Sequence, residues 1–142
     1  MKPFSVPGGT FSDPRGRIDF VNDFHFEGVK RFYIIENIDT RFVRAWQGHR
    51  EEKKFFYVLS GSILVAWVKI DDWVNPSSDL KAESIILKSD EPRILIIPPG
   101  YANGMRSLEP ASRMMVMSDH HLAASLDDKI RFPADLWFNF GI

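Results

Sequence analysis

Residues 44–61 read R-A-W-Q-G-H-R-E-E-K-K-F-F-Y-V-L-S-G, and residues 97–104 read I-P-P-G-Y-A-N-G. From Lys54 the first stretch is strand-like: aromatic and β-branched residues run to Ser60 and then meet Gly61. In such a strand Lys54, Phe56 and Val58 share one face. The Ser60-Gly61-Ser62 junction joins this run to a second one, Ser62–Ile70, and predicts a hairpin. The second stretch ends the apolar run Arg93–Ile97 with Pro98-Pro99-Gly100, a strand closed by a turn.

Outward from these two stretches the chain keeps the same rhythm. Short apolar runs at Ile18–Phe20, Val29–Glu36, Glu83–Lys88 and Arg113–Ser118 predict further strands, and Asp71–Lys81, with Asn75-Pro76-Ser77-Ser78, predicts a loop. Helical periodicity is weak, the best candidate being a short turn at Ser125–Ile130. Many short strands at regular spacing predict an all-β sandwich or barrel. With 142 residues and neither a repeat nor a linker, one domain spanning 1–142 is expected.

Composition narrows the function classes. The chain is 44% hydrophobic and 13% aromatic, enough for a filled core, and its formal net charge is -1. That leaves no global basic field for nucleic acid, so an anion site has to be a local cluster of arginine and lysine. Cysteine is absent, so neither a disulfide framework nor a thiolate metal site is available. Met1 to Phe11 carries no apolar h-region and no run is long enough to span a bilayer. No signal peptide and no membrane partner are expected, and a cytoplasmic location is.

The two stretches together resemble the paired motifs of the cupin superfamily, double-stranded β-helices of jelly-roll type. In that resemblance Gly61 is the glycine closing the first motif and Pro98-Pro99-Gly100 is the P-x-G of the second. The metal-ligand positions then hold Gln47, His49, Lys54 and Asn103. One imidazole of four ligands is too few for a transition metal, and a lysine ammonium among them repels a cation. No metal and no other cofactor are expected. The remaining histidines are His25, His120 and His121. The last two are neighbours, and adjacent strand residues point to opposite faces.

Within the cupins the chain resembles the dTDP-4-dehydrorhamnose 3,5-epimerases and the dTDP-4-keto-6-deoxyglucose 3,4-ketoisomerases. Phe11-Ser12-Asp13-Pro14-Arg15-Gly16-Arg17 is similar to the epimerase F-x-D-x-R-G. Lys30-Arg31-Phe32-Tyr33-Ile34 is similar to the ketoisomerase K-R-x-Y-x-I, and Arg44 to Arg50 to its R-G-F-H-A-H-K. Lys54 falls where the epimerases carry a pocket lysine, and Ile97 to Gly104 is similar to their I-P-x-G-F-A-H-G. Gln47 replaces the first histidine of the ketoisomerase pair and Asn103 the histidine of F-A-H-G. The epimerase tyrosine acid maps near Met115, and the epimerases' longer C-terminal part, which supplies a base-orienting carboxylate, is not expected to be matched within these residues. The surviving His49 tilts the resemblance toward a ketoisomerase or single-centre epimerase.

What the resemblance implies is proton transfer on a dTDP- or UDP-linked 4-keto-6-deoxy sugar, feeding surface polysaccharides. A C4 ketone acidifies the neighbouring C–H bonds, a base forms an enolate, and a cation or hydrogen-bond donor stabilises its oxygen. His49 is the expected base, with Lys54 or Arg44 supporting the enolate. Arg15 and Arg31 are expected to clamp the diphosphate, which suits guanidinium geometry. Tyr33 and Trp46 are candidates to stack on the nucleotide base, and Gln47 and Asn103 to bind sugar hydroxyls or the keto oxygen. Each residue has a structural alternative. His49, Tyr33 and Trp46 are equally core residues, Lys54 an edge-strand charge, and Arg44 a surface partner of Glu51 or Glu52. Phe132, Trp137, Phe138 and Phe140 are expected to close the barrel or an interface. A homodimer with exchanged N-terminal strands is implied, in which Arg15 serves the neighbour's site. The rival to an enzyme is a non-catalytic cupin that binds a nucleotide sugar or similar anion.

Overall fold

The computed structural model describes residues 1–141, and Ile142, the last residue of the expected domain, lies outside them. The strands are β1 Phe4–Pro7, β2 Gly9–Asp13, β3 Gly16–Phe20, β4 Arg31–Glu36, β5 Val43–His49 and β6 Lys54–Ser60. They continue as β7 Ser62–Lys69, β8 Glu83–Lys88, β9 Arg93–Ile97, β10 Tyr101–Ser107, β11 Arg113–Ser118 and β12 Ile130–Arg131. One short helix, α1, runs Leu122–Asp127. It starts three residues before the expected turn at Ser125.

Two five-stranded sheets form, in the orders β1-β9-β6-β11-β4 and β12-β5-β10-β7-β8, and β2-β3 is a separate hairpin. The paired strands are antiparallel throughout. This is the cupin jelly roll. The expected hairpin at Ser60-Gly61-Ser62 is corrected: β6 pairs with β9 and β11 and β7 with β8 and β10, so the junction carries the chain from one sheet to the other. It turns on Gly61, whose φ of 75° is in the left-handed region that favours glycine. A Cβ there would lie 2.1 Å from the Ser112 hydroxyl, so the position also lacks room.

Alternation explains how the sheets close on one another. Phe56 and Val58 of β6, Ile63 and Val65 of β7, Leu95 and Ile97 of β9, and Met114 and Val116 of β11 point inward and fill the barrel. Each such side chain, fully buried, contributes about 1.5–3 kcal/mol. The outer face of the first sheet is covered by the segment before β4, where Phe24 packs on Phe55, Ile94, Ile96 and Met117. The outer face of the second sheet is covered by the C-terminal segment, with Phe140 buried against Trp46, Ala66 and Ala102. Phe132, Trp137 and Phe138 pack on the same cluster, on the outer face of the sheet.

One irregularity matters for the site. Asn103 of β10 pairs with Gln47 of β5, but Met105 pairs with Arg44, so two residues, Ala45 and Trp46, oppose the single Gly104. This bulge reverses the parity of β5. Arg44 and Gln47, three apart, therefore both face the barrel interior.

Candidate active site

The inward faces of β4, β5 and β6 and the start of α1 enclose a cleft of about 440 Å³ at one end of the barrel. Arg31 and Tyr33 reach it from β4, Arg44, Gln47 and His49 from β5, Lys54 from β6, and Leu122, Leu126 and Lys129 from the C-terminal segment. Below it a small enclosed space is lined by Asn103, Met105, Phe56 and Val116 together with Tyr33, His49 and Lys54. The structure thus gathers Arg31, Tyr33, Arg44, Gln47, His49 and Lys54 around the cleft, with Asn103 lining the space beneath it.

Two expected residues lie elsewhere. Trp46 is fully buried on the opposite face of β5, its indole N–H donating to the Leu136 carbonyl at 2.9 Å. The expectation that it stacks on a ligand is corrected: neighbours in a strand face opposite ways, and Gln47 takes the inward side. Arg15 sits on the exposed turn between β2 and β3, where its guanidinium pairs with Asp13 at 2.7 Å. It does not line the cleft of its own chain. Arg44 is not a surface partner of Glu51 or Glu52, since its Nε donates to Asn37 Oδ1 at 3.0 Å.

The centre of the site is a residue the sequence did not single out for this role. Glu52 is 1% exposed, yet it carries a carboxylate. Its Oε2 accepts hydrogen bonds from the hydroxyls of Ser118 and Ser125, lies 3.0 Å from Lys54 Nζ, and lies 3.7 Å from Arg31 Nη2. Burial pushes this carboxyl up, but the two serine hydroxyls and the Lys54 ammonium outweigh burial and hold it down to about 2. Lys54, only 4% exposed, is therefore a buried ammonium with a counter-ion, and its Nζ also donates to the Tyr33 hydroxyl at 3.1 Å. The alternative of an edge-strand charge is ruled out by this burial and by the place of β6 between β9 and β11.

His49 stands beside this pair. Its Nδ1 is 3.2 Å from Glu52 Oε1, but the contact is out of line, and neither ring nitrogen has a hydrogen-bond partner. Burial pushes the imidazole below its ordinary value and the Lys54 ammonium adds to that, against the opposing pull of Glu52 and Asp128. The ring is neutral near pH 7, the state a base requires.

Asp128 fixes the loop between His49 and Lys54. Its carboxylate accepts the backbone N–H groups of Arg50, Glu51 and Glu52 at 2.9, 2.9 and 2.7 Å. His49, Glu52 and Asp128 bring one possible metal-ligand atom each within 4.8 Å of one another. The set does not suit a metal ion, because Asp128 is committed to three amides and Lys54 already neutralises Glu52.

The rim is cationic. Lys129 stands with Arg31 and Arg44 around the opening. Burial lowers the Lys129 ammonium, and Arg131, Lys54, Arg44 and Arg31 lower it further. Arg31 Nε is buried without a partner. Chemically the cleft offers a neutral buried base beside a fixed cation, under a rim that attracts anions.

No protein-family model matches the chain, and no curated protein matches it in sequence. Solved structures do. A dTDP-4-dehydrorhamnose 3,5-epimerase from Bacillus anthracis, with TDP and pyrophosphate bound, aligns with a TM-score of 0.80 at 17% identity, covering 99% of this chain and 85% of that one. A 3,4-ketoisomerase from Thermoanaerobacterium thermosaccharolyticum in complex with TDP aligns at 0.72 and 21% identity, over 92% of this chain and 88% of that one. A 3,4-ketoisomerase from Helicobacter canadensis aligns at 0.71 and 18% identity, over 93% and 92%. The chain shares the fold of these sugar-nucleotide isomerases and epimerases.

Proposed function

We propose that the chain is an isomerase acting on a nucleotide-linked 4-keto-6-deoxy sugar, as a 3,4-ketoisomerase or a single-centre epimerase. The observation that carries this reading is the neutral, buried His49 set beside the Lys54 ammonium in a cleft rimmed by Arg31, Arg44 and Lys129. The kinship in fold with enzymes whose structures hold TDP adds to it.

The chemistry balances without an added cofactor. His49 takes the proton from the carbon next to the C4 ketone. The C–H electron pair becomes the enolate double bond, and the carbonyl pair moves onto oxygen. The Lys54 ammonium or the Tyr33 hydroxyl donates to that oxygen; one well-placed donor of this kind is worth about 3 kcal/mol. Return of the proton to the other face of the same carbon epimerises it. Return to the former carbonyl carbon, with a hydroxyl proton passing between the two oxygens, moves the ketone. Gln47 and Asn103 are neutral groups at the floor, suited to sugar hydroxyls. Arg31 and Lys129 meet the diphosphate, with Arg44 beside them at the rim. In a homodimer, Arg15 on the exposed β2–β3 turn completes the neighbour's site.

A binding-only cupin is the second reading, favoured by Gln47 and Asn103 where the relatives' motifs have histidine. Product analysis separates the two. Incubation with dTDP-4-keto-6-deoxyglucose, followed by NMR of the sugar ring, is expected to give a new ring-proton pattern. Tight binding with unchanged substrate would select the binding module.

A further inference from the structure

The Glu52 carboxylate is unevenly used. Oε2 serves Ser118, Ser125 and Lys54, whereas Oε1 is buried without a hydrogen-bond partner and faces His49 Nδ1 at 3.2 Å. A buried anionic oxygen calls for a donor, and the imidazole N–H is the one within reach. Donation from Nδ1–H to Oε1 needs only a realignment of the ring. The proton on an imidazole is placed by the partner of the other nitrogen.

We propose that Glu52 is a positioning residue that holds the proton of neutral His49 on Nδ1, leaving the Nε2 lone pair as the base. This rests on the reading of His49 as the base. The carboxylate comes from three residues along the same loop, and two anchors keep it in place. Asp128 pins the backbone amides from Arg50 to Glu52, and the two serine hydroxyls pin Oε2. When His49 accepts a proton at Nε2, the new imidazolium faces an existing carboxylate across 3.2 Å. Glu52 itself stays ionised and gains no proton.

The charged and titratable groups facing His49 are Glu52, Lys54 from β6 and Asp128 after α1, with Tyr33 from β4 across the cleft. Among their side chains Glu52 is the one with a buried oxygen that has no other donor, while the Asp128 backbone also acts on the ring. The other bonds of Glu52 make the isosteric substitution informative. In Glu52→Gln the side-chain carbonyl has to stay with the serines and Lys54, which are donors. The amide NH2 is then turned toward His49 Nδ1, where it donates and forces the ring proton to Nε2.

The test is nitrogen-15 NMR of the histidine rings in the full chain, with His49 assigned by its loss in His49→Asn. Wild type is expected to show a neutral His49 protonated on Nδ1 around pH 7. Glu52→Gln is expected to move that proton to Nε2 and to lower the midpoint at which the ring charges. An Nε2–H ring in wild type overturns the proposal, and so does an unchanged ring in folded Glu52→Gln. The wild-type spectrum decides the matter even where the variant fails to fold. On the keto sugar, Glu52→Gln is expected to lower kcat about a hundredfold with KM nearly unchanged. A Glu52-dependent Nδ1–H ring in a protein that turns over no sugar would support the positioning role and sink the substrate reading alone.

Discussion

Two side chains decide the character of the site, and the sequence treats them differently. Lys54 was legible, because its place in an alternating strand put an ammonium on the same face as Phe56 and Val58. Glu52 was not. It stands in the charge run Arg50-Glu51-Glu52-Lys53-Lys54, which reads as solvated, and no periodicity says which glutamate turns inward. Only the tertiary placement of Ser118 and Ser125 decides that. The consequence is a pH-dependent stability. The Glu52 carboxyl titrates near 4.5 when unfolded and about 2 when folded. A depressed carboxyl contributes stability that is complete above pH 4.5 and lost as pH falls toward 2. The size is about 3 kcal/mol. His49, also depressed, adds a loss at higher pH, as the unfolded ring charges near 6.5 and the folded one resists. Denaturant unfolding measured from pH 7 down to 2 is expected to show both steps. In Glu52→Gln the step below pH 4.5 is expected to vanish.

At the level of elements, strands rich in β-branched and aromatic residues were readable: β6, β8, β9 and β11 have the bounds their sequences suggest. Two strands that build the site were not. β10 contains Asn103 and Gly104, both poor strand formers, yet it lies in the middle of the second sheet between β5 and β7. Its neighbours impose the extended form. In β5 the bulge opposite Gly104 changes which residues face inward, so Arg44 reaches the cleft together with Gln47, which strict alternation does not give. The connection from β5 to β6 depends on a residue far along the chain. Asp128 takes three consecutive amides of that loop and so sets the distance between His49 and Lys54. Replacing it with alanine leaves three amides unpaired, that of Glu52 buried and those of Arg50 and Glu51 partly so. A loss of about 2–4 kcal/mol is expected in urea unfolding. Asp128→Asn, which keeps one acceptor oxygen, is expected to fall between. Wild-type stability in Asp128→Ala would show the loop to be held by something else.

On the scale of the whole molecule, the jelly roll presents one polar cleft and several uncovered apolar side chains. Phe11 and Ile18 pair across the β2–β3 hairpin and are 55% and 59% exposed, with Arg15 on the turn beyond them. Phe32 and Ile34 on β4, an edge strand, are also exposed. A second copy of the chain accounts for such surfaces in the homodimer proposed above. Sedimentation at micromolar concentration is expected to give a dimer. A Phe11→Glu and Ile18→Glu double variant is expected to dissociate it, and Arg15→Ala to weaken nucleotide binding while leaving the dimer intact. A wild-type monomer would contradict this arrangement.

The central claim is that His49 moves a carbon-bound proton next to a sugar ketone, and proton exchange tests it most directly. The protein is incubated with dTDP-4-keto-6-deoxyglucose in deuterated water beside His49→Asn, and the ring protons are followed by NMR. Deuterium entering at a carbon next to the ketone in wild type, and slowed about a hundredfold or more in His49→Asn, is the predicted result. Full retention of those protons by the wild type, or equal exchange in the variant, would contradict the account.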